Sequence, residues 1–293
     1  VPTNEQRRAA AKRKLERQLA NRAERARKRK QLTIAGSVIG VVLVVAAVTG
    51  VYFLTRGDDS SSNSDAADAS LSSTPAAAAP PSAKAKPATV DCSYRDSAKP
   101  ADKPVGKPKA DGIPTTGVDA KVSVSVETTQ GPIGLTLNNA ESPCTVNSFV
   151  SLAAQNYFDG TSCHRMTAGE GLKVLQCGDP TGTGMGGPGY EFDNEYPTDQ
   201  YAPNDPAATS EPIAYKRGVL AMANAGPGTN GSQFFIVYSD SMLPPQYTIF
   251  GTVDDNSLGT LDKIAELGQD DSNGPGDGKP KQPVTIQSVR IDR

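Results

Sequence analysis

MANAGPGTNGSQFFIVY, residues 222–238 of a 293-residue chain, joins two halves of opposite character. Ala223 to Gly231 is a run of small residues, Gly and Asn with one Pro, the composition of a loop that must turn tightly. Gln233 to Tyr238 then sets Phe234, Phe235, Ile236, Val237 and Tyr238 in unbroken succession. That reads as a strand buried on both faces, or buried on one face with its other face in use. An amide-rich loop directly ahead of an aromatic strand calls for a functional explanation.

Working outward, the segments on either side are short and strand-like. Val122, Val124 and Val126 alternate with polar residues, Thr129-Gln130-Gly131-Pro132 turns the chain, and Ile133, Leu135 and Leu137 alternate again, which predicts a hairpin. Further strands are expected at 161–166, 173–177, 219–223, 233–238, 248–253 and 284–291, the last with a bulge where its spacing slips at Gln287-Ser288. Ser142-Pro143 supplies an N-cap and a Pro at the first helical position, and Val146, Phe149, Val150 and Ala153 keep helical spacing, so a helix is predicted over 143–155. A second helix fits 261–267, with Gly268 as its C-terminal stop. Many short strands with two isolated helices predict an all-β-dominated domain over 118–293, a closed or nearly closed antiparallel structure.

Composition divides the rest of the chain. Residues 1–31 hold twelve Lys or Arg against three Glu, and the 22 residues from Thr33 to Leu54 carry no charge. A bilayer crossing needs roughly 20 apolar residues, so 32–54 reads as one transmembrane helix rather than a cleaved signal peptide. The charge asymmetry keeps the basic tail in the cytoplasm and sends everything after Leu54 across the cell membrane, which makes the domain extracytoplasmic. The basic tail also invites a nucleic-acid reading, but topology and attraction to anionic headgroups account for the same charges, and no nucleic-acid partner is expected. Residues 55–117 are Ser, Ala, Pro, Asp and Lys with few large apolar side chains, the composition of a disordered tether. As a flexible chain it would span about 45 Å. All four Cys, at 92, 144, 163 and 177, follow the apolar run, which favours disulfides and leaves three possible connectivities.

Several chemistries are disfavoured by the residues present. Gly182-Thr183-Gly184-Met185-Gly186-Gly187 satisfies G-x-G-x-x-G, but Pro188-Gly189-Tyr190 follows it and no helix opens there, so it is a loop and not a dinucleotide site. The chain has a single His, His164, with no Ser or Cys in a nucleophile motif and no metal-ligand spacing, so neither cofactor nor metal is expected. Strand alternation puts His164 and Met166 on one face, where His164 reads as a hydrogen-bonded core residue, and Cys163 and Arg165 on the other. By the same parity Arg165 shares its face with Val174, Gln176, Gln233 and Phe235. An Arg, two Gln and a Phe offer no group that titrates near neutrality. They suit stabilising a twisted polar conformation rather than proton transfer.

At this point the sequence resembles a family. Phe158-Asp159-Gly160-Thr161, Cys163-His164-Arg165, Gln176-Cys177-Gly178-Asp179, the run from Met222 to Phe235, and Gln246-Tyr247-Thr248-Ile249-Phe250-Gly251 are similar to the cyclophilins, the peptidyl-prolyl cis-trans isomerases, in the right order over about 121–291. The resemblance implies an eight-stranded antiparallel barrel capped by two helices. It implies that Arg165, Gln176 and Phe235 are catalytic: Arg165 on the carbonyl side and prolyl nitrogen of the twisting amide, Gln176 holding Arg165 and the peptide, and Phe235 as floor of the proline pocket. Val174, Leu243, Met242 and Tyr247 would line or rim that pocket. Met222, Ala223, Asn224 and Gln233 would meet the rest of an extended, proline-containing peptide, which answers the question the opening loop raises.

Three departures from the pattern matter. Met242 stands where many cyclophilins carry Trp, so weak or no cyclosporin binding is expected; Tyr247 replaces the usual rim His; and the loop between Arg165 and Gln176 and the segment 196–216 are extended. A peptide-binding chaperone or scaffold without isomerase activity is the rival reading, against which Arg165, Gln176 and Phe235 all count. Face parity disfavours a Cys163–Cys177 bridge, because Cys177 follows outward Gln176 while Cys163 shares the face of Arg165. Two connectivities then remain, of which Cys144–Cys163 with Cys92–Cys177 is the expected one.

Overall fold

The computed structural model describes residues 78–202 and 205–292. The basic tail, the apolar run at 32–54 and the first part of the tether lie outside the described residues. Among the described residues no helix is long and apolar enough to cross a membrane.

The Val-rich hairpin forms as its alternation dictates, with β4 (Lys121–Thr128) and β5 (Gly131–Asn138) paired from Lys121–Asn138 to Thr128–Gly131. Val124, Val126, Ile133, Leu135 and Leu137 are buried, so the apolar parity of both strands faces the core. With β6 (Arg165–Thr167), β7 (Val174–Cys177), β10 (Val219–Met222), β11 (Phe234–Val237), β13 (Ile249–Val253), β14 (Asp277–Gly278) and β15 (Ile286–Asp292) they build one antiparallel sheet. Its order is β14-β6-β7-β11-β10-β13-β5-β4-β15, nine strands rather than the expected eight. The additional strand is the two-residue β14, which adds to β6 from an irregular loop that carries no strand pattern. The register of β15 shifts between Ile286 and Ser288, the bulge its spacing predicts.

Helix α1 (Pro143–Ala154) starts at Pro143 behind Ser142, as expected, but Ser142 does not cap it. Its hydroxyl donates to the Ile249 carbonyl (2.7 Å). The orphan N–H groups of Cys144 and Thr145 instead donate to the carboxylate of Glu195, which also accepts from the Thr145 hydroxyl. The inner face of α1 delivers Phe149 into an aromatic cluster, 4.9 Å from Phe158 and 5.5 Å from both Phe234 and Phe250. Each such ring contributes roughly 1.5 to 3 kcal/mol through burial. A short helix α2 (Ala207–Ser210) falls in the extended 196–216 segment, and α3 (Leu258–Leu267) ends at Gly268 with φ 73°.

The tether expected over 55–117 is ordered from Ala78 onward. β1 (Thr89–Val90) pairs β3 (Ile113–Pro114), and β2 (Arg95–Asp96) pairs β8 (Tyr190–Glu191). Cys92 is bonded to Cys144 at the start of α1. Tyr94 is buried edge-on against Tyr190 and Phe192, and its hydroxyl donates to the Cys144 carbonyl. Lys103 donates to the carbonyls of Asn156, Tyr157 and Asp159 beyond the end of α1. A segment too polar to form its own core is fixed by one disulfide and a few aromatic and cationic anchors on a core already present.

The second disulfide joins Cys163 to Cys177, so both expected pairs are wrong. The period-2 argument fails because residue 163 precedes β6 and is not in a regular strand. There the chain bends toward the segment leading into β15, with the Cys163 N–H on the Val284 carbonyl and a bridge between Ser162 and Thr285. Cys163 is thereby turned into the core beside Cys177.

Candidate active site

The two faces of the β7–β11–β10 ladder lie against different clusters. One face sends Leu175, Cys177, Phe234, Ile236, Leu220 and Met222 into the main core. The other holds Val174, Phe235, Val237 and Ala221, which pack with Ile213 and Tyr215 of β9 (Ile213–Tyr215) into a second, smaller apolar cluster. All four residues of β11 are buried because both faces are covered, the first of the two readings the aromatic run allowed.

Direct partners across an antiparallel ladder share a face. Arg165 is opposite Gln176, Gln176 opposite Phe235, and Phe235 opposite Ala221. A cation, an amide and an aromatic ring therefore stand in one row along the second face. Arg165 is about a third exposed, whereas Phe235 is 5 % exposed and forms the floor beneath it. Leu243 of β12 (Ser241–Leu243) and Tyr247 complete the apolar surround, with the Tyr247 ring edge-on to Phe235 at 5.8 Å. Met242, of opposite parity to Leu243, is 38 % exposed at the rim.

The polar side chains form a directed chain. Arg165 Nη1 donates to Gln176 Oε1 (3.3 Å), Gln176 Nε2 donates to Gln233 Oε1 (3.0 Å), and Gln233 Nε2 donates to the Gly186 carbonyl (3.0 Å). Each amide is thereby fixed in one orientation, and the remaining N–H groups of Arg165 and the Gln pair are the site's donors. Beyond the Gln pair lies a groove of about 400 Å³ lined by Ala223, Asn224, Thr229 and the 184–189 loop. The Asn224 side chain is engaged within the protein, donating to the Gln246 carbonyl of the segment before β13 and accepting from the Gly226 N–H. What this loop can offer an extended chain is therefore its backbone.

The structure brings Arg165, Gln176, Phe235, Val174, Gln233, Leu243 and Tyr247 together, with Ala223 and Asn224 beside them and Met242 at the edge. Met222 is not among them. It pairs with Phe234 on the core-facing parity and is 3 % exposed, so its side chain cannot meet a ligand. His164 is buried as expected, but neither ring nitrogen has a hydrogen-bond partner in the protein. Burial, with Asp179 opposing and Arg165 adding, holds it below the usual imidazole range. Among the described residues no group of three or more His, Cys, Asp or Glu is gathered as metal ligands would be.

Two features of the site escaped sequence reasoning. Ser97 to Pro100, from the segment read as tether, form one wall of the groove. Asp277 accepts from Arg165 Nε with both oxygens at 3.0 Å and from Nη2 as well. The only signal for Asp277 was an acidic residue set between glycines in Gly274-Pro275-Gly276-Asp277-Gly278.

Residues 123–291 match the family described as cyclophilin type peptidyl-prolyl cis-trans isomerase/CLD. Over its whole length the chain is 53 % identical to the whole of a Mycobacterium leprae protein named probable peptidyl-prolyl cis-trans isomerase B. It is 55 % identical, again over the whole chain, to 95 % of the Mycobacterium tuberculosis protein of the same name. A shorter Mycobacterium tuberculosis protein, peptidyl-prolyl cis-trans isomerase A, is 37 % identical over 59 % of this chain and 93 % of its own length.

Proposed function

The chain belongs to the cyclophilin-type peptidyl-prolyl cis-trans isomerases, and we propose that it catalyses X-Pro rotation on the face carrying Arg165, Gln176 and Phe235, in exported proteins at the outer side of a membrane. The register that sets these three residues in one row is the observation that carries the site.

The task is to lower a barrier of roughly 18 to 20 kcal/mol that comes from amide resonance. Twisting the X-Pro bond localises the lone pair on the prolyl nitrogen, so a donor aimed at that nitrogen favours the twisted amide over either planar form. Arg165 is that donor. Phe235, with Val174, Leu243 and Tyr247 around it, takes the pyrrolidine ring and strips water from the bond, which strengthens the contact with Arg165. Gln176 and Gln233 hold the carbonyl side, and the Ala223–Asn224 backbone keeps the flanking chain extended. No proton leaves or arrives. Exchange spectroscopy on a short X-Pro peptide, with and without replacement of Arg165, tests this part of the reading.

The location rests on charge and composition. A 22-residue uncharged run follows a basic tail, and the two disulfides suit an oxidising compartment. Protease added to intact cells should remove the folded domain and leave the basic tail. Protection of the domain until the membrane is permeabilised would refute the location.

A further inference from the structure

We propose that Asp277 is a positioning residue for the isomerase reaction: its carboxylate clamps the Nε–Nη2 edge of the Arg165 guanidinium, so that the Nη1 end, held beside Gln176, is what remains for the twisting amide. The inference rests on the reading of Arg165 as the donor to the prolyl nitrogen.

An Arg side chain has many rotamers of similar energy, and one that reaches across an open face would spread its charge over them. In this site the edge formed by Nε and Nη2 lies against both oxygens of Asp277, while Nη1 is turned the other way, onto Gln176. A carboxylate met side-on by two guanidinium nitrogens fixes the plane as well as the position of the group. The contact therefore decides which N–H groups remain for the substrate.

Asp277 is itself held firmly. β14 pairs with β6, so the acid sits on the strand next to the one that carries Arg165, with Asp277 opposite Thr167. Asn273 Nδ2 donates to Asp277 Oδ1 at 3.1 Å, and the backbones of Asn273 and Asp277 are bonded to each other. The surrounding loop is closed by Asp271, which accepts the Gly276 N–H, and by Asp270, which accepts the Ser272 and Lys279 N–H groups. Gly276 has φ 76°, and a Cβ on Gly278 would lie 2.3 Å from Asp270 Oδ1, so the tight closure of this loop on itself depends on both glycines. Hydrogen bonding from Arg165 holds the Asp277 carboxyl below its usual range, as expected of a carboxylate engaged with a guanidinium.

A negative group beside a catalytic cation has two opposed effects. It orders the guanidinium, and it offsets part of the positive charge that favours the twisted amide. The two predict opposite signs for removing the acid. The clamp reading requires that Asp277 variants be slower.

The test is a double-mutant cycle on the full chain, with rates from exchange spectroscopy on an X-Pro peptide and peptide affinity measured separately. Asp277→Ala should lower kcat/KM about ten- to a hundredfold, the size of effect expected from a misplaced reacting group. Peptide Kd should change less than about twofold. Asp277→Asn, which keeps the shape of the loop, should also be slower, and it decides the matter if Asp277→Ala melts early. In an Arg165→Ala background, Asp277→Ala should cost nothing further. Asp277 variants as fast as the parent or faster, or an equal loss with and without Arg165, would overturn the inference while leaving the site intact. An Arg165→Ala enzyme that keeps full activity would instead sink the reading of the site, and this inference with it.

Discussion

Gln176 and Phe235 are direct partners across the β7–β11 ladder, so an amide that binds Arg165 and the ring that floors the apolar pocket are fixed relative to each other by backbone pairing alone. The site is preorganised by a sheet, not by loops, which suits a reaction whose catalysis is stabilisation of one twisted geometry.

The disulfides give the first prediction. A peptide map under non-reducing conditions should show Cys92–Cys144 and Cys163–Cys177. By loop-closure entropy the first, spanning 52 residues, should contribute about 4 kcal/mol and the second, spanning 14, about 3. Cys92→Ala should also expose the segment around Tyr94 to proteolysis while the sheet stays folded. Resistance of that segment in the variant would show that the aromatic anchors suffice without the bond.

Glu195 caps α1 from fifty residues away. Glu195→Ala strands one buried and one partly buried backbone N–H group and one buried hydroxyl, and should destabilise the domain by about 2 to 4 kcal/mol. Denaturant unfolding checks this, and a loss below about half a kcal/mol would mean that water replaces the carboxylate.

His164 sets a pH dependence. The unfolded imidazole takes its proton near pH 6.5. The folded one, held lower by burial and by Arg165 against the opposing pull of Asp179, binds it less readily. Stability should therefore be full above about pH 6.5 and decline as pH falls through the window down to the folded value. His164 is the chain's one His, so His164→Gln should flatten the decline below about pH 6.5. Parallel melting profiles for parent and variant would contradict it.

How much of this was legible in the sequence depends on how regular each segment is. The 222–238 stretch, the Val-rich hairpin and the face shared by Arg165, Gln176 and Phe235 follow from alternation, because those residues are in paired strands. Cys163 was misplaced because the same rule was carried two residues past the start of β6. Met222 was assigned to the ligand by motif, although its parity, opposite to that of Ala221, already pointed to the core. Asp277 and the 78–117 segment were hidden for a different reason. Their positions are set by contacts with distant elements, and neither periodicity nor composition records such contacts.

Met242 bears on inhibition. Its side chain is exposed at the rim, and its backbone N–H is already engaged with the Gly171 carbonyl, so only the side chain differs from a Trp at this place. Lacking the indole donor and its flat area, the enzyme should be inhibited by cyclosporin at least about tenfold more weakly than a Trp-bearing cyclophilin, with partial recovery in Met242→Trp. Equal inhibition of parent and variant would count against it.

The central claim is that Arg165 stabilises the twisted amide. Arg165→Ala should lower kcat/KM for an X-Pro peptide by about two orders of magnitude, the usual cost of a lost preorganised donor. Peptide affinity should change much less, because Phe235 and the Ala223–Asn224 backbone still hold the ground state. Arg165→Lys should fail substantially too, since a single ammonium cannot satisfy Asp277, Gln176 and the substrate at once. The decisive measurement is the isomerase rate of purified Arg165→Ala beside its melting curve. A folded variant about a hundredfold slower than the parent is the predicted result. A folded variant that keeps more than half the parent rate would contradict the account.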